Sequence, residues 1–369
     1  MKIAFIGQKG IPAQTGGVER YVESLALNLA QAGQAVFVYS RFRYSGRLKE
    51  YKGIHILPVI SIPGKNLEAI SQTFFACLST AFRKFDVIHF QSIGPSSLLW
   101  LAKLLNPCTP IVFTFHCQDY YHQKWGSFAR WYLKLGENIA CHLADKIVAI
   151  SKELEIYIAK NHRKESLYIP NGANLRERVA VQDIRCFGLE GDDYIVAISR
   201  LVRHKGLHHL IKAYQKIDSK KKLVIVGDSA HTDDYAEELR LLADNNPNII
   251  FTGNQSGRPL AELFSNAHLF VQPSESEGLS IALLEAMSYG LPCLVSDIPA
   301  NKEALEDNGY FFQNASVDDL KEKLEKILSL DESELKEKGE KAKNRVRQEY
   351  DWQGISQKIL RLYKDLKVE

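Results

Sequence analysis

The chain has no Asp-x-Asp pair, no Cys-x-x-Cys pair and no apolar run near the roughly 20 residues that a bilayer-spanning helix needs. Each absence closes off a class of protein. Without Asp-x-Asp there is no ready carboxylate pair for a divalent ion bridging a nucleotide diphosphate. Without Cys-x-x-Cys, the six scattered cysteines (Cys77, Cys108, Cys117, Cys141, Cys186 and Cys293) read as reduced thiols rather than zinc ligands or a disulfide framework. A signal-peptide pattern is also missing: Met1-Lys2 runs straight into the strand-like Ile3-Ala4-Phe5-Ile6, so a cytoplasmic protein beginning at Met1 is expected. No recognisable nucleic-acid module is present, and nucleic acid is not expected as a partner.

What is present is the composition of a globular protein, 45% apolar and 25% charged, over 369 residues, enough for two domains with separate cores. Apolar runs of four to six residues recur at 3–6, 35–39, 55–59, 87–90, 111–115 and 147–150, most of them separated by helical patterns. Between the first two, Val18, Val22, Leu25 and Leu29 fall at i, i+4, i+7 and i+11, which predicts one apolar helix face. A second series follows Gly191-Asp192-Asp193, at 194–198, 223–226, 249–252, 269–272 and 293–296. Buried strands alternating with helices predict an α/β protein with two Rossmann-like halves built on parallel sheets. Pro170-Asn171-Gly172 is a turn signal, and the polar stretch after it reads as a linker. The expected division is an N-terminal domain at 1–172, a linker at 173–190, a C-terminal domain at 191–351 and a terminal helix at 352–369 carrying the stripe Trp352, Ile355, Ile359, Leu362 and Leu366.

The formal charge of +3 hides an asymmetry. Residues 1–172 hold 20 Lys and Arg against 11 Asp and Glu, a net +9, whereas residues 173–369 hold 27 against 33, a net −6. A basic half suits anionic lipid or a phosphorylated ligand, or it is merely a solvated surface. Arg41, Arg43, Arg47, Lys49 and Lys52, read as a polar loop after the second strand, are the candidates for peripheral membrane contact.

Four stretches carry candidate chemistry. Gly16-Gly17 at the first helix start is a possible phosphate contact, with a plain helix-entry turn as the alternative; the loop fits neither the dinucleotide Gly-x-Gly-x-x-Gly nor the P-loop spacing. Arg200 and Lys205 follow the strand at 194–198, at the carboxyl edge where open parallel sheets bind ligands, and could neutralise a diphosphate. His116 follows the strand at 111–115 in the string Thr114-Phe115-His116-Cys117-Gln118-Asp119-Tyr120; a lone histidine there is structural or functional. Glu277 and Glu285 stand eight positions apart around a buried helix expected at 279–287, suited to a mouth and an interior position of one cleft, or to a helix-dipole partner and a solvated residue.

The string Pro273-Ser274, Glu277-Gly278, Glu285-Ala286-Met287, Gly290-Leu291-Pro292 resembles the signature of the family-four retaining glycosyltransferases, and the resemblance runs from Gly16-Gly17 to the Trp352 helix. It implies the two-domain GT-B fold, with parallel sheets facing across a cleft and a last helix that returns to the first domain. The resemblance places the donor nucleotide-sugar mainly on the second domain: Glu285 on the ribose, Arg200 and Lys205 on the diphosphate in place of a metal, and Glu277, Gly278, Leu279 and His116 around the sugar, with Gly16 and Gly17 as further donor contacts. No cofactor and no metal are expected. The acceptor, a saccharide or lipid-linked oligosaccharide, is assigned to the first domain, with Asp119, Tyr120, Lys124 and Trp125 on its side. Lys124-Trp125-Gly126 and Gly136-Glu137 are similar to strings of a bacterial subgroup making surface polysaccharides, lipopolysaccharide or exopolysaccharide. The rivals are a nucleotide-sugar epimerase of similar shape and a non-catalytic sugar-nucleotide sensor.

Overall fold

A computed structural model describes the whole chain except residues 15, 65–66, 122–124, 230–232 and 369. The described residues divide into two compact units, Met1–Asn171 with Trp352–Glu369, and Gly172–Asp351.

The first unit is built on eight strands: β1 (Lys2–Ile6), β2 (Ala35–Arg41), β3 (Glu50–Tyr51), β4 (Ile54–Val59), β5 (Val87–Gln91), β6 (Ile111–Phe115), β7 (Lys146–Ala149) and β8 (Leu167–Tyr168). Their order is β3-β4-β2-β1-β5-β6-β7-β8, parallel throughout except for β3, which pairs antiparallel with β4. All five residues of β5 and of β6 are buried, as expected of strands covered by helices on both faces. The helix Gly17–Gln31 turns Tyr21, Val22, Leu25 and Leu29 into this core.

The terminal helix Trp352–Val368 belongs to this unit, and its apolar stripe is buried. Tyr363 sets its hydroxyl 2.5 Å from His89 Nδ1, whose other ring nitrogen lies 2.6 Å from Thr114 Oγ1. Trp352 packs on the Tyr21 ring, and Lys367 pairs with Asp86 at 2.7 Å. His89 is therefore a buried tie between a central strand and the last helix.

The second unit holds six parallel strands, β9 (Tyr194–Ile198), β10 (Lys222–Val226), β11 (Ile249–Gly253), β12 (Leu269–Gln272), β13 (Cys293–Ser296) and β14 (Tyr310–Phe312), in the order β11-β10-β9-β12-β13-β14. Ile195, Leu223, Ile225, Leu269, Val271 and Leu294 form the middle of its core with the helices Leu207–Tyr214 and Val317–Leu328.

Three expectations need correction. Residues 173–190 are part of the second unit rather than a free linker. The fully buried Glu262 carboxylate accepts the backbone N–H groups of Gln182, Asp183 and Ile184 at 2.7–3.2 Å, and Arg178 donates to the carbonyls of Tyr289 and Gly290. Three backbone bonds and the Arg258 side chain hold that carboxylate ionised, with a pKa lowered to about 2 despite burial. The helix after Glu277 runs Ile281–Ser288, so Glu285 lies one turn inside it. The segment after β2 is no open loop: Arg41 ends the strand and is spent on Glu68 (2.7 Å) and Gln72 (2.8 Å), leaving Arg43, Arg47, Lys49 and Lys52 exposed along a short helix and the β3 edge.

Candidate active site

In the second unit the chain runs outward from β9 through β10 to β11, then returns to place β12 on the other side of β9. Connections leaving the carboxyl ends of β9 and β12 therefore diverge and open a crevice, the place where such sheets bind ligands. Arg200 and Lys205 follow β9, and Glu277 follows β12.

The two loops are stitched together by main chain. Gly206 has φ +66°, and a Cβ there would lie 1.9 Å from the Pro273 carbonyl oxygen, so a side chain is excluded both by conformation and by the other loop. Glu275 N–H donates to the His204 carbonyl at 2.8 Å. On the far side a buried polar chain fixes the β12 loop. Ser280 Oγ donates to Gln272 Oε1 (2.6 Å), Gln272 Nε2 to Asn301 Oδ1 (2.9 Å), Asn301 Nδ2 to the Ser296 carbonyl (3.0 Å), and Ser296 Oγ to the Ser274 carbonyl. Ser280 also caps the Ile281–Ser288 helix by accepting from Leu283 N–H. With its members buried, this network rigidifies the segment that presents Glu277, Gly278 and Leu279.

Lys205 and Glu277 meet directly, as an ion pair whose side chains are 14% and 10% exposed. Sequence reading assigned the two to different parts of a ligand; the structure makes them each other's partner. The Arg200 guanidinium is half-buried and has no hydrogen-bond or ion-pair partner among the described residues. Among the described residues, the crevice thus presents the uncommitted Arg200 beside the neutralised Lys205–Glu277 pair. Glu285 is half-buried, and its negative charge adds to burial in raising the Tyr289 hydroxyl pKa, against the opposing effect of Arg176.

Sequence reading missed a neighbouring cluster. His209 Nε2 lies 3.1 Å and His208 Nε2 3.9 Å from Glu275 Oε1, and His208 Nδ1 is 2.8 Å from the Tyr235 hydroxyl. Among the described residues this is the one group of three whose ligand atoms converge enough to hold a metal ion. His208-His209 alone, with no third ligand nearby in the sequence, gave no signal.

In the first unit His116 is buried at the end of β6, donating from Nε2 to Gln91 Oε1 on β5 at 2.7 Å with its ring edge-on to Tyr21. Burial lowers its pKa to about 3, so the imidazole is neutral at physiological pH and acts as a hydrogen-bonding group rather than a cation. Asp119 accepts from Cys117 Sγ at 3.2 Å. Tyr120 is turned inward: its hydroxyl accepts from Gln118 Nε2 (2.9 Å) and meets the Tyr157 hydroxyl (2.9 Å), which donates to the buried Glu137. This relay ties Tyr120 to the protein interior. Trp125 is half-buried, and Lys124 lies outside the described residues.

Gly16 has a local reason of its own. A Cβ on it would sit 2.1 Å from Glu19 Oε2, and the same carboxylate accepts the Lys9 N–H at 3.0 Å. The helix start read as a phosphate contact is thus already faced by an acid, consistent with the helix-entry reading.

Two family models match the chain, Glycosyltransferase Family 4 over residues 15–177 and Glycosyl transferases group 1 over residues 185–365. Between them they span both units, and the chain belongs to the family-four type of glycosyltransferase, enzymes that use nucleotide-sugar donors. An uncharacterized glycosyltransferase of Methanocaldococcus jannaschii is 26% identical over 99% of this chain and 98% of its own length. A capsular polysaccharide biosynthesis glycosyltransferase of Staphylococcus aureus, CapM, is 25% identical over 64% of this chain and 66% of its own. Among solved structures, a sucrose-phosphate synthase from Thermosynechococcus elongatus superposes with a TM-score of 0.85 at 23% identity over 99% of this chain and 98% of that one. Anabaena HepE, solved with UDP-glucose, gives 0.82 at 19% identity over 99% and 100%. The fold is GT-B.

Proposed function

We propose that the chain is a retaining glycosyltransferase that moves a sugar from a nucleotide-sugar to a saccharide or lipid-linked saccharide in bacterial cell-surface polysaccharide synthesis, by same-face substitution without a metal. The observation that carries this reading is the uncommitted, half-buried Arg200 at the sheet's switch point, beside the Lys205–Glu277 pair. In the proposed step the bond between the anomeric carbon and the diphosphate oxygen breaks while the acceptor hydroxyl oxygen bonds to the same face of that carbon. The hydroxyl proton passes to the departing diphosphate. Charge building on that leaving group is met by Arg200 and by Lys205, whose ammonium Glu277 already holds in position. Glu285 takes the ribose diol, and neutral His116 offers a hydrogen bond to the transferred sugar. HepE's complex with UDP-glucose supports a nucleotide-sugar as donor, and CapM supports a polysaccharide as product. The exposed Arg43, Arg47, Lys49 and Lys52 would help bring the basic first unit to an anionic membrane face carrying a lipid-linked acceptor.

The test is a transfer assay with a panel of sugar nucleotides and membrane extract, with product anomers read by NMR. An α-linked donor should yield an α-linked product. Inversion would refute retention, and turnover with no labelled acceptor would favour an epimerase.

A further inference from the structure

Exposed large apolar side chains are distributed one-sidedly: among the described residues sixteen lie in the first unit and two, Leu175 and Leu241, in the second. Much of the excess falls on three helices, Leu67–Thr80, Leu99–Leu105 and Ser127–Leu143, which pack against one another in sequence order. From their outward sides project Phe74, Phe75, Trp100, Leu104, Phe128 and Trp131, between 37% and 76% exposed. Within the first helix Phe74 lies against Phe75 at 5.6 Å between ring centroids, and within the third Phe128 lies against Trp131 at 5.8 Å. Phe82, at the end of the first of these helices, is 90% exposed. Exposed aromatic side chains gathered on neighbouring packed helices mark a surface with an occupant.

Charge on the same elements names the occupant. Arg83 and Lys84, just after the first of these helices, and Arg130 and Lys134, on the third, are exposed, with Lys134 over the Tyr120 ring. The acids nearby are committed: Glu68 to Arg41, Asp145 to Lys103, and the buried Glu137 to Tyr157 and His162. Tryptophan and phenylalanine with unneutralised Lys and Arg are the chemistry of a surface that sits in the headgroup layer of an anionic bilayer, rings below and cations at the phosphates. A second copy docking on the same face would bring like charges together, which disfavours a symmetric dimer there.

We infer that the three-helix face of the first unit, Leu67–Thr80, Leu99–Leu105 and Ser127–Leu143, is a membrane-docking surface for anionic lipid, distinct from the basic segment after β2. The inference shares with the proposed function the idea of a lipid-linked acceptor but is independent of the transfer chemistry. It is tested by cosedimentation of the full chain with phosphatidylglycerol–phosphatidylcholine vesicles and with pure phosphatidylcholine. Wild type should partition at least tenfold more strongly onto the anionic vesicles, with binding weakened but not abolished in high salt, because rings remain when charge is screened. The double variant Phe128→Ser, Trp131→Ser should lose tenfold or more on anionic vesicles. Neutralising Arg43, Arg47, Lys49 and Lys52 should cost less than that. Circular dichroism and nucleotide-sugar hydrolysis, read in solution, should be unchanged in both variants, which separates failed docking from failed folding or failed chemistry. Undiminished vesicle binding by the Ser variant, or no preference of wild type for anionic vesicles, would overturn the inference. So would sedimentation of wild type as a dimer that the Ser variant dissolves.

Discussion

Arg200 and Lys205 are proposed to serve one leaving group, yet removing them should have different consequences for the folded protein. Lys205→Ala strips the partner from Glu277, whose side chain is only 10% exposed, and strands a charge inside the site. Removing one member of a fully buried pair costs about 3–5 kcal/mol, and the residual exposure here points to about 3. For a unit of this size each kcal/mol moves the midpoint by about 2–4 °C, so Lys205→Ala should melt about 6–12 °C lower. Arg200→Ala breaks no interaction among the described residues and should stay within about 0.5 kcal/mol of wild type. Both should lower turnover by about a hundredfold or more, the usual loss on deleting one charge-stabilising donor. The double variant Lys205→Met, Glu277→Met should recover most of the stability and none of the activity. Differential scanning calorimetry with initial-rate measurements on all four proteins decides the matter. Equal destabilisation by Arg200→Ala and Lys205→Ala, or full activity in Arg200→Ala, would refute the assignment of separate structural and electrostatic roles.

Chelation with EDTA should leave most of the initial rate intact; a collapse reversed by added metal would refute the cationic clamp and direct attention to His208, His209 and Glu275. Gly206→Ala should cost on the order of 2 kcal/mol or more and impair donor binding, since its Cβ would press the Pro273 carbonyl from a left-handed backbone; wild-type melting and nucleotide affinity would contradict the stitched-loop geometry. His89 and His116 are buried neutral with pKa values near 3 against 6.5 in the unfolded chain, so they cost nothing above about pH 6.5, and below it the unfolded state binds more protons. By pH 5 each should have removed about 2 kcal/mol, visible in urea melts as a stability loss that His89→Phe reduces.

The long buried strands were legible because each is a run of β-branched and aromatic residues with helical spacing between. β3, β8 and β14 were not, because two or three residues make no period. The stretch 173–190 looks like a linker since the residues that fix it, Glu262 some 80 positions later and the Tyr289 and Gly290 carbonyls, lie far along the chain. Pairing across distance is likewise invisible: Lys205 and Glu277 stood out separately, 72 residues apart, and nothing in either string marks one as the other's partner. Gly16 reads two ways, as a phosphate contact or a helix-entry turn, for a related reason. A glycine at a helix start signals close approach of something, and the sequence alone does not say whether a ligand or the chain's own Glu19 approaches.

The Trp352–Val368 helix completes the first unit only after the entire second unit has been synthesised. At ribosomal speeds of roughly 5–20 residues per second, the some 180 residues between Asn171 and Trp352 take about 10–40 s to emerge. Throughout that interval the nascent first unit has Tyr21, His89 and Asp86 without Trp352, Tyr363 and Lys367. The second unit, contiguous in the chain, can finish first, so the part made earliest is closed last. Premature termination just before Trp352 would leave a complete second unit attached to a first unit whose His89 ring, buried in the finished protein, has lost its Tyr363 partner.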